Sequence, residues 1–99
     1  MTYDAAYFIA KFEAIPDELW FVGKLTDPEN QARHCALGHC VRRDFIFNHE
    51  AEALFRILNF PANINDGDDP RYPRDKFPTP KARILAALRD VVASYPASP

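Results

Sequence analysis

The apolar positions Tyr3, Ala6, Tyr7, Ala10 and Ala14 recur at helical spacing and predict a helix over 2–14, capped by Thr2 or Asp4. Phe8, Ile9 and Phe12 widen that face, and a helix apolar over so broad an arc is either deeply buried or shared with a second subunit. Pro16 ends it or opens a short turn, with Asp17 and Glu18 suited to the first turn of a helix. Leu19-Trp20-Phe21-Val22-Gly23-Lys24-Leu25 has the aromatic and β-branched content of a short strand. Thr26 to Gln31 is rich in turn formers, and a return through Ala32-Arg33-His34 would complete a small β-hairpin around 19–34. A helical turn at 17–22 is the competing reading.

From Cys35 to Phe45 the spacing of Leu37, Val41 and Phe45 predicts another helix. A further one runs from about His49 to Leu58, capped by Asn48, with Ala51, Leu54, Phe55 and Leu58 on one face. The stretch 59–78 has no clear period and reads as a long loop, a kind of segment that is often functional or flexible. Thr79 as N-cap and Pro80 at the first helical position open the last helix, whose apolar face is Ile84, Leu85, Leu88, Val91 and Val92. Pro96 ends it. The expected architecture is mainly α, with about four helices and the hairpin; α+β is the variant. One compact domain spans 1–95, followed by a flexible tail at 96–99.

Composition narrows the function classes. Hydrophobic residues make up 47% and charged residues 26% of the chain, which is ordinary for a globular protein. The 13% aromatic content implies either a core of large rings or an aromatic-lined pocket. A net charge of −2 argues against long nucleic acid as a partner, whose many phosphates call for a basic surface. It leaves room for a small anion held by a few local cations. No apolar run approaches the roughly 20 residues that span a bilayer, so no membrane partner is expected. The N-terminus lacks a basic stretch followed by an apolar run, and two Cys make no disulfide framework. A cytoplasmic setting with reduced thiols follows as the expectation.

Three segments carry candidate chemistry. In His34-Cys35-Ala36-Leu37-Gly38-His39-Cys40 the four His and Cys invite zinc, but a structural site takes ligands at wider, recognisable spacings, and no metal ligand is assigned. A thiol beside His34 or His39 near a helix start would make a cysteine nucleophile, the chemistry of a Cys/His-dependent enzyme. The plainer alternative is that Cys35, with Ala36 and Leu37, is a small buried hydrophobe and that Gly38 admits the close approach of another backbone or a ligand. Asn63-Ile64-Asn65-Asp66-Gly67-Asp68-Asp69 does not fit the calcium-loop pattern. It reads as turn chemistry, with Asn65 or Asp66 capping backbone amides and Gly67 at positive φ. The third group, Lys24, Arg33, Arg42 and Arg43 with Tyr3, Tyr7, Trp20 and Phe21 nearby, joins guanidinium forks to aromatic faces, as a nucleotide-like ligand requires. A solvated charge set over an aromatic core is the competing account. No phosphate-binding glycine loop is present, and nothing calls for a cofactor.

Trp20-x-x-Gly23, Cys35-Ala36-Leu37-Gly38, Ile64-Asn65-Asp66 and Thr79-Pro80 leading into Ile84-Leu85-Ala86-Ala87-Leu88 together resemble a family of small bacterial and phage proteins known only as a domain of unknown function. The resemblance spans about residues 19–91. It implies a Trp-Gly strand before a Cys-Ala-Leu-Gly helix start, and a late Asn-Asp before the final helix. It implies no activity. A phage-type setting suggests, by analogy in kind, a non-enzymatic sponge that sequesters a small anionic or nucleotide-like signalling ligand as a homo-oligomer, an anti-defence role. The expected ligand-binding set is Trp20, Lys24, Arg33, His39, Arg42, Asn65 and Asp66, with no catalytic residue. A protein-interaction module inhibiting a host factor is the second reading and a Cys/His-dependent enzyme the third.

Overall fold

The fold is known from a computed structural model that describes residues 2–41 and 48–94. Within them lie four α-helices and one antiparallel hairpin, in the order α1 (Ala5–Glu13), β1 (Thr26–Asp27), β2 (Asn30–His34), α2 (His49–Leu58), α3 (Pro61–Asp66) and α4 (Pro80–Ser94). The chain is therefore mainly α with a small hairpin, as its pattern predicts. No helix among the described residues is long and apolar enough to cross a membrane.

Local signals set most helix starts. The Asp4 carboxylate accepts from the Tyr7 amide at 2.8 Å, and the Asn48 side chain accepts from the Ala51 amide at 2.8 Å. The Thr79 hydroxyl, just ahead of a helix that begins with Pro80, accepts from the amide of its third residue, Ala82, at 3.1 Å. Pro16 opens a short 3-10 turn, Asp17–Leu19, within the 17–22 stretch where a helical turn is the competing reading.

Three expectations need correction. Residues 19–25 do not form a strand. Trp20 makes an isolated parallel bridge to His34, Gly23 turns the chain at φ 94°, and ladder pairing starts only at Thr26. The segment after Cys35 is a tight turn rather than a helix, with His39 N–H on the Cys35 carbonyl and both Cys40 and Val41 N–H on the Leu37 carbonyl. The remainder of the helix expected there, 42–45, lies outside the described residues, as do the tail and Pro96. The stretch 59–78 is not all loop, because α3 interrupts it with Pro61 at its start and Gly67 at φ 83° closing it.

α4 is the central strut and packs against α1, α2 and α3. Ile84 and Leu88 on α4 meet Phe8 and Phe12 of α1, Leu54 of α2, Ile64 of α3 and Trp20 in one buried cluster. Three of the large rings are core: Phe8, Phe12 and Trp20 are all buried, with Phe8–Phe12 centroids 5.8 Å apart and stacked, and Phe12–Trp20 centroids 5.3 Å apart, edge to face. Each such ring removed from water contributes about 1.5–3 kcal/mol, so this row anchors α1 and the Trp20 segment to each other. The broad apolar arc of α1 is thus used largely inside the chain, with Tyr3, Tyr7 and Ile9 packed at its margin.

Candidate functional site

Four motifs far apart in the sequence converge on Asn65. Its side chain is fully buried. Oδ1 accepts from the Ala36 amide at 3.0 Å, while Nδ2 donates to the Phe21 carbonyl at 2.9 Å and to Asp66 Oδ1 at 3.0 Å. Asp66 Oδ1 in turn accepts from the Gly23 amide at 3.0 Å. One short polar pair at the end of α3 therefore holds both the Trp20–Gly23 segment and the Cys35–Gly38 turn. The carbonyls of the same pair are held from the other side. Arg83 Nε and Nη2 donate to the Asn65 carbonyl at 3.1 and 2.8 Å, and Arg83 Nη1 donates to the Phe77 carbonyl at 2.8 Å. Arg74 donates twice to the Asp66 carbonyl, at 3.1 and 2.7 Å. Two cations at the carbonyl end of a helix also meet its negative pole. Arg83 is buried, and that burial lowers its pKa, yet every partner named here is a neutral carbonyl.

Gly38 completes the clasp. A Cβ at this position would lie 2.0 Å from the Leu25 carbonyl oxygen, closer than any real contact, so the turn can seat against the hairpin only with glycine here. The Leu25 carbonyl also accepts from the Cys35 amide at 3.2 Å.

The His and Cys side chains of the central segment are buried or engaged within the chain. Both thiols are free and buried, and burial is the main cause that raises each pKa, away from the thiolate a nucleophile needs. His39 Nε2 donates to the Leu19 carbonyl at 2.9 Å, and its ring meets Trp20 at 5.2 Å and His34 at 4.9 Å, edge to face. Burial holds its pKa down at about 4, with the neighbouring His34 and Lys11 opposing the charge and the Leu19 carbonyl favouring it. Among the described residues no three His, Cys, Asp or Glu side chains are grouped to hold one metal ion.

Two surface depressions flank the Trp20 segment. One, of about 280 Å³, is bordered by Lys11, His39, Cys40, Asn48, His49 and Glu50. Its carboxylate is committed: Glu50 accepts from the Tyr7 hydroxyl at 2.7 Å and pairs with Lys11, which outweighs its burial and lowers its pKa. Burial and the Glu50 hydrogen bond push Tyr7 up to about 12. The other, of about 440 Å³, lies on the hairpin between Phe21, Lys24, Glu29 and Arg33. The Arg33 guanidinium sits 5.3 Å above the Phe21 ring centroid, donates to Asp27 Oδ2 at 2.9 Å and reaches the Trp20 carbonyl at 3.2 Å. Its Nε is buried with no partner among the described residues. Lys24 is exposed and forms no ion pair among the described residues.

The expected binding set is therefore dispersed. Trp20, buried with Nε1 on the Ile15 carbonyl at 3.3 Å, and Asn65 belong to the scaffold, and Asp66 ties that scaffold to Gly23. Lys24 and Arg33 share the hairpin depression, whereas His39 borders the other one. Arg42 lies outside the described residues. Phe21, Asp27, Glu29 and Arg83 were absent from that set. Phe21 carried a signal as an aromatic next to Trp20, but the roles of Asp27 and Arg83 depend on contacts no local pattern reveals. No protein-family model, curated protein or solved structure matches the chain.

Proposed function

We propose that the protein is a non-enzymatic binding protein whose hairpin depression takes a small, nucleotide-like anion. The observation that carries this reading is Arg33, its guanidinium carbon 5.3 Å from the Phe21 ring centroid, beside the exposed Lys24 in a depression of about 440 Å³. A guanidinium beside an aromatic ring offers a fork to an oxyanion and an aromatic face to a base. Asp27 and Glu29 share the site with the two cations, so it suits a ligand of low net charge, such as a nucleoside monophosphate or ADP-ribose, better than a polyphosphate. The raised thiol pKa values and the carbonyl-bound, neutral His39 weigh against the Cys/His enzyme. Sequestration of a phage-type signalling nucleotide by a homo-oligomer is the biological form of this reading.

Calorimetric titration with AMP, ADP-ribose and a cyclic dinucleotide tests it, alongside native mass spectrometry for subunit number and any co-purifying ligand. At least one nucleotide is expected to bind, with affinity falling at least tenfold in Lys24→Ala. Binding by none of them, or equal affinity in that variant, contradicts the proposal. Arg33→Ala is the poorer probe because it also strips Asp27, a buried carboxylate, of its cation.

A further inference from the structure

His39 stands where the 3-10 turn, the Trp20 segment and the hairpin meet. Its Nε2 holds the Leu19 carbonyl, and its ring lies between the indole of Trp20 and the imidazole of His34. His34 is fixed in turn by a 2.9 Å hydrogen bond shared by Nδ1 and Thr26 Oγ1, and its carbonyl accepts from the Phe21 amide at 2.9 Å. The two imidazoles therefore form a bridge from the hairpin to the buried Trp20. Arg33, whose Nη2 reaches the Trp20 carbonyl, hangs from the same bridge.

The surroundings are poorly prepared for a positive charge. Lys11 of α1 and His34 of β2 both oppose one on His39. From α2, His49 and Glu50 border the same depression, but the Glu50 oxygens are already held by Lys11 and the Tyr7 hydroxyl. The Cys40 thiol and the Tyr7 phenol stay neutral, each pushed up chiefly by burial. Asp17 and Glu18, on the turn that supplies the Leu19 carbonyl, are exposed. The Leu19 and His34 carbonyls favour a charged ring, but burial outweighs them.

We propose that the His34–His39 pair is an acid-sensitive clasp, in which uptake of a proton by His39 loosens the hairpin from Trp20 and dismantles the Phe21–Lys24–Arg33 depression before the helices melt. This rests on the geometry of the clasp and not on what the depression binds. Because His39 holds its proton less readily in the folded chain than when released, its stabilising contribution is complete above about pH 6.5 and is lost as the pH falls towards 4.

Trp20 is the only tryptophan and reports on the clasp directly. Its emission is followed together with far-ultraviolet circular dichroism as the pH is lowered from neutrality, in the unaltered protein and in His39→Gln, whose amide can still donate to the Leu19 carbonyl. The expected result is a change in Trp20 emission with a midpoint near pH 4 while the helical signal persists, with this change absent in His39→Gln. A flat Trp20 signal, a change that coincides with helix loss, or the same midpoint in both proteins overturns the proposal. Should His39→Gln fail to fold, the His39 Cε1 proton resonance of the unaltered protein decides. Titration together with Trp20 emission supports the clasp, and titration near 6.5 overturns it.

Discussion

The clasp around Asn65 and the depression beside Arg33 share one segment, Phe21 to Lys24, and they use their polar groups in opposite ways. At the clasp the Asn65 side-chain amide, its carbonyl and the Asp66 carbonyl all have protein partners. At the depression Lys24 is exposed and has no ion pair among the described residues. A saturated network in a core confers a unique geometry, whereas an open one at the surface is free to meet a ligand. The motif residues therefore explain how the chain folds, and the residues beside them bear on what it binds.

The contrast can be broken from either side. Asn65→Ala would strand the Ala36 amide and the Phe21 carbonyl, each at a cost of about 1–3 kcal/mol, so chemical denaturation should show a loss of about 2–6 kcal/mol in all. A loss near zero would mean that water replaces the side chain and that the clasp is not a core element. Gly38→Ala should cost about 2–3 kcal/mol, because the clash is with the Leu25 backbone oxygen and not with a side chain that can swing away. A thermal midpoint equal to the parent's would contradict that close approach. On the open side, Lys24→Ala should shift stability by no more than about 0.5 kcal/mol, as expected for an exposed side chain without an ion pair.

How much of this was legible in the sequence follows from the range of each interaction. The caps at Asp4, Asn48 and Thr79 act over three residues and are read directly from the chain. α3 is only six residues long, too short to establish a period, and its proline start and glycine end look like loop punctuation. The segment 19–25 has strand composition, but Gly23 bends it away and its partner His34 is supplied from across the hairpin. Turn chemistry predicts that Asn65 or Asp66 caps backbone amides and that Gly67 takes a positive φ, as it does. The amides they cap are those of Ala36 and Gly23, far away in sequence, and only the packed chain brings them within reach. The wide apolar arc of α1 was open to two readings, and Phe8 and Phe12 lie inside this chain's own core.

The most direct test of the central claim, that the hairpin depression is a binding site separate from the clasp, is an amide-resolved NMR titration with AMP and ADP-ribose. Shifts are expected to concentrate at Phe21, Gly23, Lys24 and Arg33, with the Ala36 amide bonded to Asn65 unmoved. Shifts gathered instead around Lys11, His39 and Glu50, or none at saturating nucleotide, would contradict the claim.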